Sequence, residues 1–171
     1  MNTTDPSHEH KSLAPSSIGC VVITCSDSRT PETDTSGYHI MQMLKDSGHT
    51  VVDYRLVKDE PNKIKAAVKK AVRNRKVQAI IMNGGTGISR RDSTFEAVDA
   101  MLEKRLDGFG EVFRYLTYQV IGSPAIMSRA TAGIIKGRVL FSTPGSENAV
   151  RLAMEKLILP ELGHLVGELT K

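Results

Sequence analysis

Apolar positions along the chain change period several times, and each change marks an element. Gly19-Cys20-Val21-Val22-Ile23-Thr24 is a short β-branched run that ends in the polar stretch 26–36, the pattern of a buried strand feeding a loop. Ile40, Met43, Leu44 and Ser47 then fall at helical spacing, and Gly48 follows as a C-terminal cap. The cycle repeats. Residues 49–57 read as a strand, Pro61 stands where a first helical residue would, and Ile64, Ala67, Val68, Ala71 and Val72 form one apolar face. A third strand over 77–83 opens directly into Gly84-Gly85-Thr86-Gly87. Ser93 and Glu96 have the spacing of a capping box, which predicts a helix from about 93 to 104 with Asp92 at its N-terminus. A further helix is expected over 110–122. Two strands are expected over 130–135 and 139–142, turning at Lys136-Gly137, and a last helix after Pro144-Gly145 carries Val150, Ala153, Met154, Leu157 and Ile158 on one side. Strands alternating with helices predict a three-layer α/β/α sandwich with a mostly parallel central sheet. Ligands in such folds bind beyond the C-terminal ends of the strands.

Composition narrows the class. A chain of 171 residues suits one core, so 18–171 is expected to form a single α/β domain behind a flexible tail over 1–17. No apolar run approaches the ~18 residues needed to cross a bilayer, and the tail lacks the apolar core of a secretory signal. Cys20 and Cys25, the only cysteines, point to opposite faces of one strand and are expected to stay reduced, as in a cytoplasmic protein. The net charge of +4 is scattered along the chain, without a basic stripe or interleaved aromatics, which argues against nucleic acid.

The glycine-rich turn is where chemistry concentrates. Glycines let the backbone take positive φ and approach a ligand, and successive N–H groups at a helix entrance attract anions. No Gly-Lys-Ser/Thr follows, and Arg90 stands where a dinucleotide fingerprint places its third glycine, so two familiar phosphate motifs are excluded. Arg91 and Asp92 bring a guanidinium and a carboxylate within one turn of the glycines. Asp92 suits either Mg²⁺ or a helix cap, and Asp59-Glu60 suits either the site or a helix start before Pro61. Asp27, Ser28 and Asp34 follow the first strand, so three strand ends each deliver a carboxylate to one edge of the sheet. The histidines show no zinc-ligand spacing, and no serine has the flanking glycines of a nucleophile elbow.

These residues together resemble the molybdenum cofactor biosynthesis protein B family, relatives of the molybdopterin adenylyltransferases. The resemblance spans about 21–162. It rests on Ser26-Asp27-Ser28-Arg29 with Asp34-Thr35-Ser36-Gly37, Asp59-Glu60, Gly84-Gly85-Thr86-Gly87 with Arg91-Asp92, Gly108-Phe109-Gly110-Glu111, Ser128-Arg129 and Pro144-Gly145. It implies a molybdopterin-binding domain whose active members use ATP and Mg²⁺ to join AMP to the terminal phosphate of molybdopterin. It also implies a non-catalytic paralogue that carries molybdopterin as the alternative. By resemblance Asp59 and Asp92 are catalytic and hold Mg²⁺, while Asp27, Ser28, Gly84, Gly85, Thr86, Gly87, Arg91, Glu111, Ser128, Arg129, Pro144 and Gly145 contact substrate. Homotrimers or homohexamers are implied, with other molybdenum cofactor biosynthesis proteins as partners. One stretch departs from the pattern: active adenylyltransferases commonly read Asp-Val-Thr-Pro-Glu-Ala where this chain has Asp92-Ser93-Thr94-Phe95-Glu96-Ala97.

Overall fold

In the computed structural model, which describes residues 15–171, six strands form one sheet in the order β2-β1-β3-β6-β5-β4. The parallel part comprises β2 (Thr50–Val57), β1 (Gly19–Cys25), β3 (Ala79–Asn83) and β6 (Arg138–Thr143), with β5 (Thr131–Ile135) and β4 (Lys104–Arg105) added antiparallel. Most of the expected tail, residues 1–14, lies outside the described residues. Among the described residues no helix is long and apolar enough to cross a membrane.

Alternation along the strands divides the core in two. Cys20, Val22, Ile81 and Phe141 face α1 (Thr35–Asp46), α4 (Asp107–Ile121), α5 (Glu147–Ala153) and α6 (Leu159–Leu169), where Ile40, Leu44, Phe113, Val150 and Leu162 are buried. Val21, Ile23, Ile80, Met82 and Leu140 face α2 (Pro61–Arg73) and α3 (Thr94–Asp99), where Ile64, Val68, Ala71, Ala97 and Val98 are buried. Burial of these aliphatic faces, about 25 cal/mol per Å² of apolar surface, holds the three layers together. Cys20 and Cys25 lie on opposite faces as free thiols.

Local expectations hold where one element decides its own fate. Gly48 takes φ +82 after α1, and Lys136-Gly137 takes φ +48 and +69 to turn the β5–β6 hairpin. Three expectations are corrected. The helix expected to reach about residue 104 stops at Asp99, because Glu103 and Leu106 donate instead to the carbonyls of Ile134 and Ala132. Gly133 makes that pairing possible, since a Cβ there would stand 2.3 Å from the carbonyl of Lys104. The capping box does not form: Ser93 turns its hydroxyl to Asp59, and Glu96 pairs with Arg129. The C-terminal helix is also divided. A π turn over Met154–Ile158, with Leu159 donating to the carbonyl of Met154, admits Pro160, which lacks an N–H.

Candidate functional site

The C-terminal ends of the four parallel strands lie level, with Cys25 beside Val57, Thr24 beside Asn83 and Asn83 beside Thr143. Each end releases a polar loop onto the same edge.

The turn after β3 is tightly enclosed. Gly84 has φ +93, and a Cβ there would meet the carbonyl oxygen of Cys25 at 2.2 Å. Gly85 has φ +61, and its Cβ would fall 2.1 Å from Asp59 Oδ2 and 2.3 Å from Thr94 Oγ1. Only glycine meets both demands, the left-handed backbone and the missing side chain. Asp59, 6% exposed, therefore sits beneath the turn. Its Oδ1 accepts from Ser93 N at 3.1 Å, Ser93 Oγ at 2.9 Å and Thr94 Oγ1 at 3.3 Å, and Thr94 N donates to the carbonyl of Gly85 at 2.9 Å. Asp59 ties the glycine turn to the start of α3.

Asp92 is placed differently. Its Oδ2 accepts from Ser89 N at 3.0 Å and Ser89 Oγ at 2.6 Å, which folds 89–92 into a tight loop. It does not cap α3, whose first turn begins after Ser93. Its carboxylate borders an open pocket of about 490 Å³. That pocket is floored by Gly84, Gly85, Thr86 and Gly87, walled on one side by Phe113, Thr117 and Met127, and closed on another by Pro144, Gly145 and Ser146. Ser128 lines it too, and its buried Oγ has no hydrogen-bond partner among the described residues.

Several expected contacts serve the loops instead. Arg91 pairs with Asp27, Nε to Oδ2 at 2.5 Å and Nη2 to Oδ1 at 3.1 Å. The hydrogen bond from Arg91 holds the Asp27 carboxyl below the usual carboxylate range despite some desolvation. Asp27 Oδ1 also accepts from Asp59 N at 3.2 Å. Arg129 donates from Nε to the carbonyl of Thr86 at 2.9 Å, reaches the carbonyl of Gly87, pairs with Glu96, and stacks 5.0 Å above the Phe95 ring. Asp27, Ser28, Asp59, Arg91 and Arg129 thus surround the pocket without lining it, and Glu111 is exposed on α4. Ser93 and Phe95, where the chain departs from the adenylyltransferase pattern, have definite work: one braces Asp59 and the other carries Arg129.

Sequence reasoning missed Arg29 as a site residue, although the loop bearing it stood out. Arg29 lines the pocket, with Nη1 3.0 Å from Asp34 Oδ1 and Nη2 2.8 Å from the carbonyl of Gly145. It missed the apolar wall from α4 as well, since those residues carry no signal that separates a pocket from a core. Among the described residues no three His, Cys, Asp or Glu side chains gather closely enough to hold a metal alone.

Residues 21–164 match the family model described as "probable molybdopterin binding domain". A molybdenum cofactor biosynthesis protein B from Bacillus anthracis is 52% identical over 162 residues, covering 94% of this chain and 96% of that protein. The chain belongs to the molybdenum cofactor biosynthesis protein B family. A crystal structure bearing that family name is 51% identical and superposes with a TM-score of 0.89, covering 92% of this chain and 98% of the other. The tungsten cofactor synthesizing protein MoaB from Pyrococcus furiosus, 36% identical, gives 0.83 over 92% of this chain and all of its own. Both folds share the three layers described above, and the protein is placed in molybdenum cofactor biosynthesis.

Proposed function

We propose that this protein adenylylates molybdopterin, using Mg-ATP and releasing pyrophosphate. The observation that carries the reading is a single pocket, at the level ends of four parallel strands, that joins a glycine turn, the Asp92 carboxylate and the Arg29 guanidinium. In this reaction the terminal phosphate oxygen of molybdopterin forms a bond to the α-phosphorus of ATP, and the bond from that phosphorus to the β-phosphate oxygen breaks. The attacking monoester has its second pKa near ~6, so it is largely dianionic at neutral pH and needs no general base. The protein's task is to bring mutually repelling anions into line and to neutralise charge as it develops.

The residues present fit Mg²⁺ in a limited way. Mg²⁺ commonly takes one or two carboxylates plus substrate phosphates, and it would lower the charge repulsion between the two substrates. Asp92 has one oxygen tied to Ser89 and lies on the pocket, so it is the carboxylate proposed to hold the ion. Asp59, expected beside it as a ligand, is proposed to act by bracing the turn that aims backbone N–H groups at phosphate. Exposed Tyr115, Val120 and Ile126 support self-association as a homotrimer or homohexamer.

The enclosure of Asp59 also favours a second reading, a non-catalytic carrier of molybdopterin, because only one of the two carboxylates borders the pocket. Incubating the protein with molybdopterin, Mg²⁺ and ATP separates the two. Pyrophosphate release that requires molybdopterin supports the transferase, and molybdopterin binding without release selects the carrier.

A further inference from the structure

We infer that Arg29 is the side chain that binds the phosphate of a ligand in this pocket, and that Asp34, itself fixed by Tyr54, is its positioning residue. The inference rests on the pocket receiving a phosphate-bearing ligand, and it concerns which residue recognises that phosphate.

Arg29 is the only arginine or lysine among the described residues that line the pocket. The other nearby cations are committed elsewhere. Arg91 is held outward by Asp27 and Glu60, and Arg129 spends its fork on the carbonyls of Thr86 and Gly87 and on Glu96. Among the described residues Arg29 uses only two of its five N–H donors, one toward Asp34 and one toward Gly145, and its side chain is 27% exposed. The unused donors belong to a group whose plane is already fixed, so little freedom is lost when an anion binds.

What fixes that plane is buried. The Asp34 side chain is fully enclosed. It accepts from Gly37 N at 3.0 Å and Tyr54 OH at 2.7 Å besides Arg29. Burial pushes the Asp34 carboxyl up, but hydrogen bonds from Thr24, Tyr54, Gly37 and Arg29 together outweigh it and hold the group below its ordinary value. The carboxylate is therefore charged, yet its charge is shared among several donors, which leaves Arg29 incompletely neutralised. The second tether is also firm: the Gly145 carbonyl accepts from Ser36 Oγ at 2.8 Å as well. Gly145 in turn packs on Gly84, where a Cβ on Gly145 would meet Gly84 Cα at 2.9 Å. Arg29 thus joins the two walls of the pocket and is aimed by both.

The test titrates wild type, Arg29→Gln, Arg29→Lys and Tyr54→Phe with molybdopterin and with the same pterin after phosphatase treatment, folding being checked by circular dichroism. Arg29→Gln is expected to lose about tenfold or more in affinity for molybdopterin, with less than about twofold change for the dephosphorylated form. Tyr54→Phe, which keeps Arg29 but frees Asp34, is expected to show the same selectivity at about two- to fivefold. Arg29→Lys keeps the charge without the fork, falls between these, and replaces Arg29→Gln if the latter does not fold. Equal losses for both pterins, no loss in Arg29→Gln, or a wild type indifferent to the phosphate would each overturn the inference. Pyrophosphate release is read separately in wild type, so selective binding without release leaves Arg29 in place while removing the adenylyltransferase.

Discussion

Removing the Asp59 carboxylate distinguishes a brace from a metal ligand. In Asp59→Ala three donors lose their acceptor: Ser93 N–H, Ser93 O–H and the hydroxyl of Thr94. Thr94 is fully buried and cannot turn to solvent, whereas Ser93 is half-buried and regains some water. A hydrogen bond to a charged group contributes about 1.5–3 kcal/mol, and a donor left buried costs about 1–3 kcal/mol. With one donor stranded and two partly resolvated, the expected loss is about 2–4 kcal/mol. For a chain of this size that lowers the melting temperature by roughly 5–15 °C. Urea unfolding followed by circular dichroism, at one fixed protein concentration because self-association shifts apparent stability, measures it. Asp92→Asn is the control. Its bonds stay within an exposed loop with Ser89, so its cost is about 0.5 kcal/mol or less. A ligand carboxylate held at the expense of stability behaves in the opposite way, and removing it leaves the fold unchanged or firmer. An Asp59→Ala protein as stable as wild type would therefore refute the brace.

Three further outcomes follow from the same contacts. Gly85→Ala forces a Cβ to 2.1 Å from Asp59 Oδ2 at φ +61; calorimetry is expected to show about 2–4 kcal/mol of destabilisation, and a titration weaker molybdopterin binding. Asp34 has its folded-state carboxyl below the ordinary value, so its stabilisation is present above the unfolded pKa of ~3.9 and is lost as pH falls through the lower folded value. Acid titration of Asp34→Asn should accordingly show a flatter loss of stability below about pH 4 than wild type. Burial raises the Cys20 thiol to about 12, and burial, opposed by a hydrogen bond with Thr94, raises Cys25 to about 12. Both should react with a disulfide reagent about a hundredfold more slowly in the native protein than in urea.

Element order and facing were legible because burial itself imposes the period. Ile64, Ala67, Val68 and Ala71 repeat at helical spacing, and they are the residues α2 buries. Glycines needing positive φ were legible at Gly48 and Gly84 for an equally local reason. Legibility fails where a partner is remote in sequence. Arg91 meets Asp27 64 positions away, Ser93 meets Asp59 34 away and Arg129 meets Glu96 33 away. Nothing local separates a guanidinium that binds phosphate from one that binds a carbonyl. The same holds for the end of α3, where helical propensity through residue 104 yields to a ladder that only Gly133 allows. Thr117 and Met127 could as well have been core residues.

The central claim, that this pocket joins AMP to molybdopterin with Asp92 serving the reaction, is tested most directly by label transfer. Wild type and Asp92→Asn are mixed with molybdopterin, Mg²⁺ and ATP labelled at the α-phosphate, with pterin binding measured in parallel. Label is expected to move onto the pterin in wild type, and Asp92→Asn should bind the pterin normally while transfer falls by about a hundredfold or more. Label that stays in ATP while wild type holds its pterin, or full transfer by Asp92→Asn, would contradict the account.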